Sequence, residues 1–99
     1  MIDACSPTEL RLRLTPIFNQ YNVKRAILFG SCAKGTASEK SDVDLLVDSG
    51  LRGLQFISLC EDLRQILGRE IDLFDVTHIE KNSRIEKEIA ATGVVIHEK

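Results

Sequence analysis

A nearly continuous apolar run, Ala26-Ile27-Leu28-Phe29, limits the folds that this sequence can adopt, and Gly30 ends the run. Such a run is typical of a buried β-strand, so we assign Val23–Phe29 to a strand. A buried strand needs neighbours in a sheet and helices that cover the sheet. The remaining pattern predicts strands at Asp42–Asp48, Glu70–Val76 and Val94–Ile96, and helices that begin at Ser6, span Leu54–Leu67 and run from Asn82 or Ser83 to Ala91. This order predicts an α/β or α+β fold, in which helices flank a β-sheet.

The first helix has a well-marked start and a proline in its interior. An S-x-x-E capping box begins at Ser6, and a proline follows in the first turn. Pro16 lies inside the helical pattern, where it should bend or break the helix near Leu14. The alternation of leucines at positions 10, 12 and 14 also fits a strand, so the pattern leaves both structures open.

The two later helices differ in their surface pattern. The helix over Leu54–Leu67 has one apolar side, and Gly68 is a suitable terminator. Its apolar side is made by Phe56, Leu59, Cys60, Leu63, Ile66 and Leu67. The last helix carries the charged run Arg84-Glu86-Lys87-Glu88, which we interpret as a solvated face with pairing between successive turns.

Length and charge narrow the class of protein. Ninety-nine residues fit one domain, which we expect to span residues 1–99. Thirteen Lys and Arg against fifteen Asp and Glu give a net charge of −2, which argues against a protein that holds long nucleic acid by neutralising phosphates. No apolar run approaches the roughly 20 residues that span a bilayer, and no export signal is visible. Three widely spaced cysteines predict free thiols in a reducing cytoplasm, without a disulfide framework.

Paired carboxylates are the first candidate functional residues. Asp42 and Asp44 stand two apart on one predicted strand, so both side chains leave the same face of the sheet, about 7 Å apart along the strand. At an effective dielectric near 20 their repulsion is about 2 kcal/mol. A fold can tolerate such a pair at an exposed rim or place a divalent cation between the two. Carboxylate oxygens are preferred ligands of Mg²⁺, with water and substrate phosphate completing the octahedron.

A third carboxylate is expected on the next strand. Asp72 is the candidate, and Asp75 is the alternative. The two lie three residues apart, so their side chains leave opposite faces of a strand and cannot both point at one site. Periodicity alone does not say which of them does.

The turn after the first strand is a candidate phosphate site. Gly30 allows a ligand to approach the backbone closely, and Ser31 offers a hydroxyl and an N–H at the start of a helical turn. Lys34 can add positive charge. An anion site that faces a carboxylate pair fits a nucleoside triphosphate bridged by metal, and therefore phosphoryl or nucleotidyl transfer.

These residues form a recognisable signature. Gly30-Ser31, ten further residues and Asp42-Val43-Asp44 resemble the G-S-x(10)-D-x-D signature of the DNA polymerase beta-like nucleotidyltransferase superfamily. The wider context, L-F-G-S-C-A-K-G followed by S-D-V-D-L-L-V and a later I-D-L, is similar to its minimal nucleotidyltransferase (MNT) branch. The resemblance extends from Leu10 to about Glu98.

The resemblance implies a mixed β-sheet flanked by helices and a set of site residues. It implies that Asp42 and Asp44 hold two Mg²⁺ ions, and that Asp72 completes the site and activates the attacking hydroxyl. Ser31 and the loop amides would bind the β- and γ-phosphates of ATP. Many relatives read G-S-R-A-R-G, whereas this chain has Cys32 and Lys34 at the two arginine positions, so one phosphate-facing charge is missing.

The resemblance also implies a function. Small MNT proteins are similar to antitoxins that transfer AMP from ATP to a hydroxyl, typically of a tyrosine, on a helical HEPN-type toxin. A rival interpretation is an antitoxin that neutralises its partner by binding without turnover. A third is nucleotidyl transfer to a small molecule or to an RNA end, which the lack of a basic surplus disfavours.

Overall fold

The fold is a four-stranded mixed sheet with helices on both faces. The computed structural model describes residues 6–34 and 42–99. The helices are α1 (Pro7–Gln20), α2 (Ser31–Lys34), α3 (Leu54–Leu67) and α4 (Arg84–Thr92), with a 3-10 turn at Val76–His78. The strands are β1 (Arg25–Phe29), β2 (Val43–Asp48), β3 (Ile71–Asp75) and β4 (Val94–Glu98). The sheet order is β3-β2-β1-β4, where β2 and β3 are parallel and the other pairs antiparallel. The predicted fold class is therefore confirmed.

Helix α1 is continuous through Pro16, so of the predicted bend or break near Leu14 the break does not occur, and the alternative that this segment is a strand is wrong. Ser6 caps the helix as predicted, and its hydroxyl accepts a hydrogen bond from the Glu9 N–H. Proline removes one backbone hydrogen bond from a helix, but packing on both sides of it can hold the helix together. The buried residues of α1 lie on both sides of Pro16: Leu10, Leu14, Ile17 and Phe18.

Helices α1 and α3 pack on one face of the sheet and form the core. Alternate residues of β2, namely Val43, Leu45 and Val47, are fully buried on this face, as their spacing predicts. Helix α3 has the predicted bounds and buries Leu59, Leu63 and Leu67. Ile66 is 45% exposed and so does not belong to the core side on which its spacing placed it.

Helix α4 and the opposite face of the sheet position the candidate site. Ser83 is the N-cap of α4, and its hydroxyl accepts a hydrogen bond from the Glu86 N–H. The strand register puts Phe29 opposite Asp44, and Leu46 beside Phe74, on this second face. No helix in the described ranges, 6–34 and 42–99, is both long and apolar enough to cross a membrane.

Candidate active site

Two of the predicted carboxylates are direct neighbours in the sheet. Asp44 on β2 and Asp72 on β3 are register partners, because these two strands are parallel and begin at the same end. Neighbouring strands lie about 4.8 Å apart, and the two side chains are within hydrogen-bonding reach of each other. Asp42 precedes β2 by one residue and is exposed. The structure thus brings all three aspartates to one edge of the sheet.

Acidic side chains are concentrated around Asp44. The pKa of this carboxyl is raised from 3.8 to about 6, first by its partial burial and further by the nearby charges of Asp72, Glu88 and Asp42. A bound cation stabilises an ionised carboxylate in this environment more than it stabilises an isolated surface carboxylate. The reason is that the cation offsets both the lost hydration of the carboxylate and its repulsion by neighbouring carboxylates. The site therefore favours cation binding on electrostatic grounds.

Gly30 lies directly against Asp44. It is buried and has a φ of +76°, which favours glycine over every other residue. A Cβ at this position would overlap the Asp44 carboxylate, and Glu88 Oε1 would be 3.4 Å away. The Gly30 N–H donates to Thr92 Oγ1 at 3.1 Å, which ties the turn to α4. The backbone and the carboxylates can approach this closely only because residue 30 lacks a side chain.

Helix α2 starts immediately after Gly30, so Ser31 and Lys34 lie in the predicted helical turn. Their side chains lie outside the described part of the structure. Cys32 is buried, and its thiol lies 3.8 Å from the Asp42 carbonyl oxygen. The residue at the position of the missing arginine thus packs inside the protein.

Asp75 has a different environment from Asp72. It is only 3% exposed, on the core face, and its carboxylate accepts four hydrogen bonds from the N–H and hydroxyl groups of Ser49 and Thr77. Burial by itself raises the pKa of Asp75, but these hydrogen bonds outweigh it and the net pKa is lowered. Asp75 links the C-terminal ends of β2 and β3, away from Asp44. Asp72 is therefore the aspartate of β3 that lies at the same end of the sheet as Asp42 and Asp44.

Glu88 is a member of the site that the sequence interpretation missed. The expected solvated face of α4 does not include it, because Glu88 is half-buried beside Gly30 and Asp44. Helical spacing contained a signal: Glu88 follows Ile85 by three residues, on the apolar side of the helix. The charged run around Glu88 concealed this signal.

Among the described residues, the acidic side chains of the site do not form a preformed metal cluster. Within residues 6–34 and 42–99, no three His, Cys, Asp or Glu side chains are arranged as ready metal ligands. Mg²⁺ is commonly held by only one or two carboxylates together with substrate phosphates and water. The donor set of this edge fits that mode of binding.

Comparison with known proteins agrees with the geometry. The family model described as polymerase beta, nucleotidyltransferase matches residues 13–99. The chain belongs to this nucleotidyltransferase family. A candidate protein adenylyltransferase of Methanocaldococcus jannaschii is 36% identical over 73 residues, which cover 72% of this chain and 78% of that protein.

Solved structures share the nucleotidyltransferase fold. A toxin–antitoxin crystal structure with AMP-PNP has a TM-score of 0.76 at 19% identity and covers 90% of this chain and 73% of that one. An MNT antitoxin in complex with a tri-AMPylated HEPN toxin of Shewanella oneidensis has a TM-score of 0.70 at 15% identity, covering 94% and 73%. At these identities the similarity establishes the fold alone.

Proposed function

We propose that residues 1–99 form a single Mg²⁺-dependent nucleotidyltransferase domain that transfers AMP from ATP to a tyrosine hydroxyl of a HEPN-type toxin, and so acts as its antitoxin. The observation that carries the proposal is the register pairing of Asp44 with Asp72 directly beside Gly30. The solved relatives support the choice of nucleotide and partner, because one was crystallised with AMP-PNP and another holds an AMPylated HEPN toxin.

Asp42, Asp44 and Asp72 are the residues that would hold Mg²⁺, two ions in the full site. Bound metal would supply Lewis-acid stabilisation of the charge that develops on the transferring phosphate. The raised pKa of Asp44, caused by burial and by its acidic neighbours, supports this assignment, because a cation would stabilise the ionised carboxylate.

The phosphates of ATP would be bound beside Gly30 at the start of α2, next to the metal-binding aspartates. The backbone N–H groups at the start of α2 and the Ser31 hydroxyl would donate hydrogen bonds to phosphate oxygens. Lys34 would supply positive charge. Cys32 supplies none, so we expect a weaker hold on the triphosphate than in relatives that carry arginine at this position.

The transfer itself requires little covalent chemistry from the protein. The tyrosine oxygen attacks the α-phosphorus of ATP, the bond from that phosphorus to the bridging oxygen breaks, and pyrophosphate leaves. Asp72 would accept the tyrosine proton, which its exposure to solvent permits. The contribution of the chain is to position the reactants and to concentrate charge at the edge where Asp44 and Asp72 meet.

The test uses a HEPN-type toxin as acceptor. With Mg²⁺ and α-labelled ATP, the wild-type protein is expected to label the acceptor, and Asp42→Asn and Asp44→Asn are each expected to reduce labelling to background. Asp48→Asn, at the far end of the same strand, is the matched control and should label normally. Undiminished labelling by both site variants would refute the assigned roles. Stable co-purification without any label on the acceptor would favour an antitoxin that acts by binding alone.

A further inference from the structure

A cavity of about 430 Å³ adjoins Asp44 on the side of the site facing α4. Phe29, Phe74 and Ile85 form apolar walls, and the rings of the two phenylalanines lie 6.1 Å apart at a tilt of 44°. Its polar part is formed by four residues of mixed charge: Asp44, Glu88, Ser83 and Arg84. The volume falls within the range of about 300–1,000 Å³ that is typical of ligand cavities.

The chemistry of the lining selects the kind of group that fits. The apolar walls favour a flat, neutral ring, since tilted and edge-on packing against phenylalanine is favourable. The carboxylates of Asp44 and Glu88 accept hydrogen bonds, so the part of the cavity beside them favours a group with an O–H donor. A phenol combines both properties.

The position of the cavity favours the acceptor over the base of the nucleotide. Asp44 belongs both to the cavity and to the proposed metal site, so a hydroxyl in contact with it is placed to attack the α-phosphorus. An adenine is separated from the α-phosphorus by its ribose and does not need to reach Asp44. The two substrates would then approach from opposite sides of Asp44.

We infer that this cavity binds the tyrosine side chain of the protein acceptor. Glu88 is a positioning residue: its carboxylate accepts the single O–H hydrogen bond of the phenol as the ring binds, and the hydroxyl turns to Asp72 when its proton is transferred. This inference rests on the proposed function, because it assumes a phenolic acceptor at the Asp44 edge. The tie from the Gly30 N–H to Thr92 keeps α4, and with it Glu88, fixed against the turn.

Filling the cavity tests the inference in the intact protein. Ile85→Trp should lower kcat/KM for the HEPN-type acceptor by about tenfold or more, because the indole would occupy the space of the phenol. The Kd of the Ile85→Trp variant for AMP-PNP, measured in the presence of Mg²⁺, should stay within about twofold of the wild-type value. Lys87→Trp, on the exposed side of the same helix, is the matched control. A weakened Kd for AMP-PNP in Ile85→Trp, or unchanged acceptor kinetics, would overturn the inference.

The role of Glu88 is tested by a split between KM and kcat. Glu88→Leu should raise the KM for the acceptor about tenfold, because the hydrogen bond to a charged group is lost. Glu88→Gln keeps an accepting oxygen and should recover part of that loss. Equal effects of the two substitutions, or an effect on kcat alone, would contradict a positioning role.

A binding measurement separates failure of the inference from failure of the proposed function. In NMR titrations of the wild-type protein with p-cresol, we expect shifts of the Phe29 and Phe74 ring signals and of the Ile85 methyl signals. Toluene, which lacks the hydroxyl, should shift them less. If no AMP is transferred to the acceptor, the proposed function is wrong, but this titration still shows whether the cavity binds a phenol. Absent shifts, or equal shifts with toluene, would refute the phenol site.

Discussion

Replacing Asp44 by asparagine should make the metal-free protein more stable at neutral pH. The side chain has a pKa of about 6 in the folded protein against 3.8 for an ordinary aspartate, so folding disfavours its ionised form. This difference corresponds to about 3 kcal/mol, since one pKa unit is about 1.4 kcal/mol. Because the carboxyl is only partly buried, solvent screening lowers our expectation to about 1–2 kcal/mol. Asparagine keeps the shape and removes the charge.

The pH dependence distinguishes this cause from a packing effect. In the wild-type protein, the loss of folding stability caused by ionised Asp44 has its full size above pH 6 and shrinks as the pH falls from 6 towards 3.8. It vanishes at lower pH, where the carboxyl is protonated in both the folded and the unfolded protein. Urea unfolding in EDTA should therefore show a stabilised Asp44→Asn at pH 7.5 and almost no difference below pH 4. Asp48→Asn is the control and should change stability by less than about 0.5 kcal/mol. A variant no more stable than wild type at pH 7.5, or a gain unchanged at low pH, would show that the charge of Asp44 does not destabilise the folded protein.

Three further substitutions test the fold by urea unfolding. Gly30→Ala should cost about 1–3 kcal/mol from its positive φ, and more from overlap with Asp44; wild-type stability would contradict this. Asp75→Asn should cost about 1–3 kcal/mol, because an amide cannot accept all four hydrogen bonds made to the carboxylate; a neutral effect would show those bonds unimportant. Pro16→Ala should stabilise by about 1–3 kcal/mol, since the exposed proline removes one backbone hydrogen bond from an otherwise regular helix; a loss of stability would mean that the proline ring is needed.

Local sequence patterns predicted the helices and strands well where the apolar residues follow a single helical or strand periodicity. The helix over Leu54–Leu67 has the bounds that its apolar spacing and the following glycine indicate. The strand over Val43–Asp48 buries the alternate residues expected. Pro16 shows the limit of such rules, because the burial of residues on both sides of it, a tertiary effect, outweighs its local preference.

The site depends on contacts that no local pattern contains. The spacing of Asp42 and Asp44 follows from one strand, but the meeting of Asp44 with Asp72 depends on the parallel register of two strands that are joined through α3. Periodicity could state only that Asp72 and Asp75 face opposite ways. Glu88 reaches the site through the docking of α4, and its charged neighbours in the sequence suggested solvent. These pairings are set by packing between distant segments.

We propose that a cation and a nucleotide bind where Asp42, Asp44 and Asp72 meet, and a crystal structure tests this directly. Crystals grown with AMP-PNP and Mn²⁺ in place of Mg²⁺ allow the metal to be located by its anomalous scattering. We predict a peak with carboxylate oxygens of Asp42 and Asp44 about 2 Å away, and with the nucleotide phosphates against Gly30. Nucleotide bound elsewhere on the protein, with no metal peak beside these aspartates, would contradict the account.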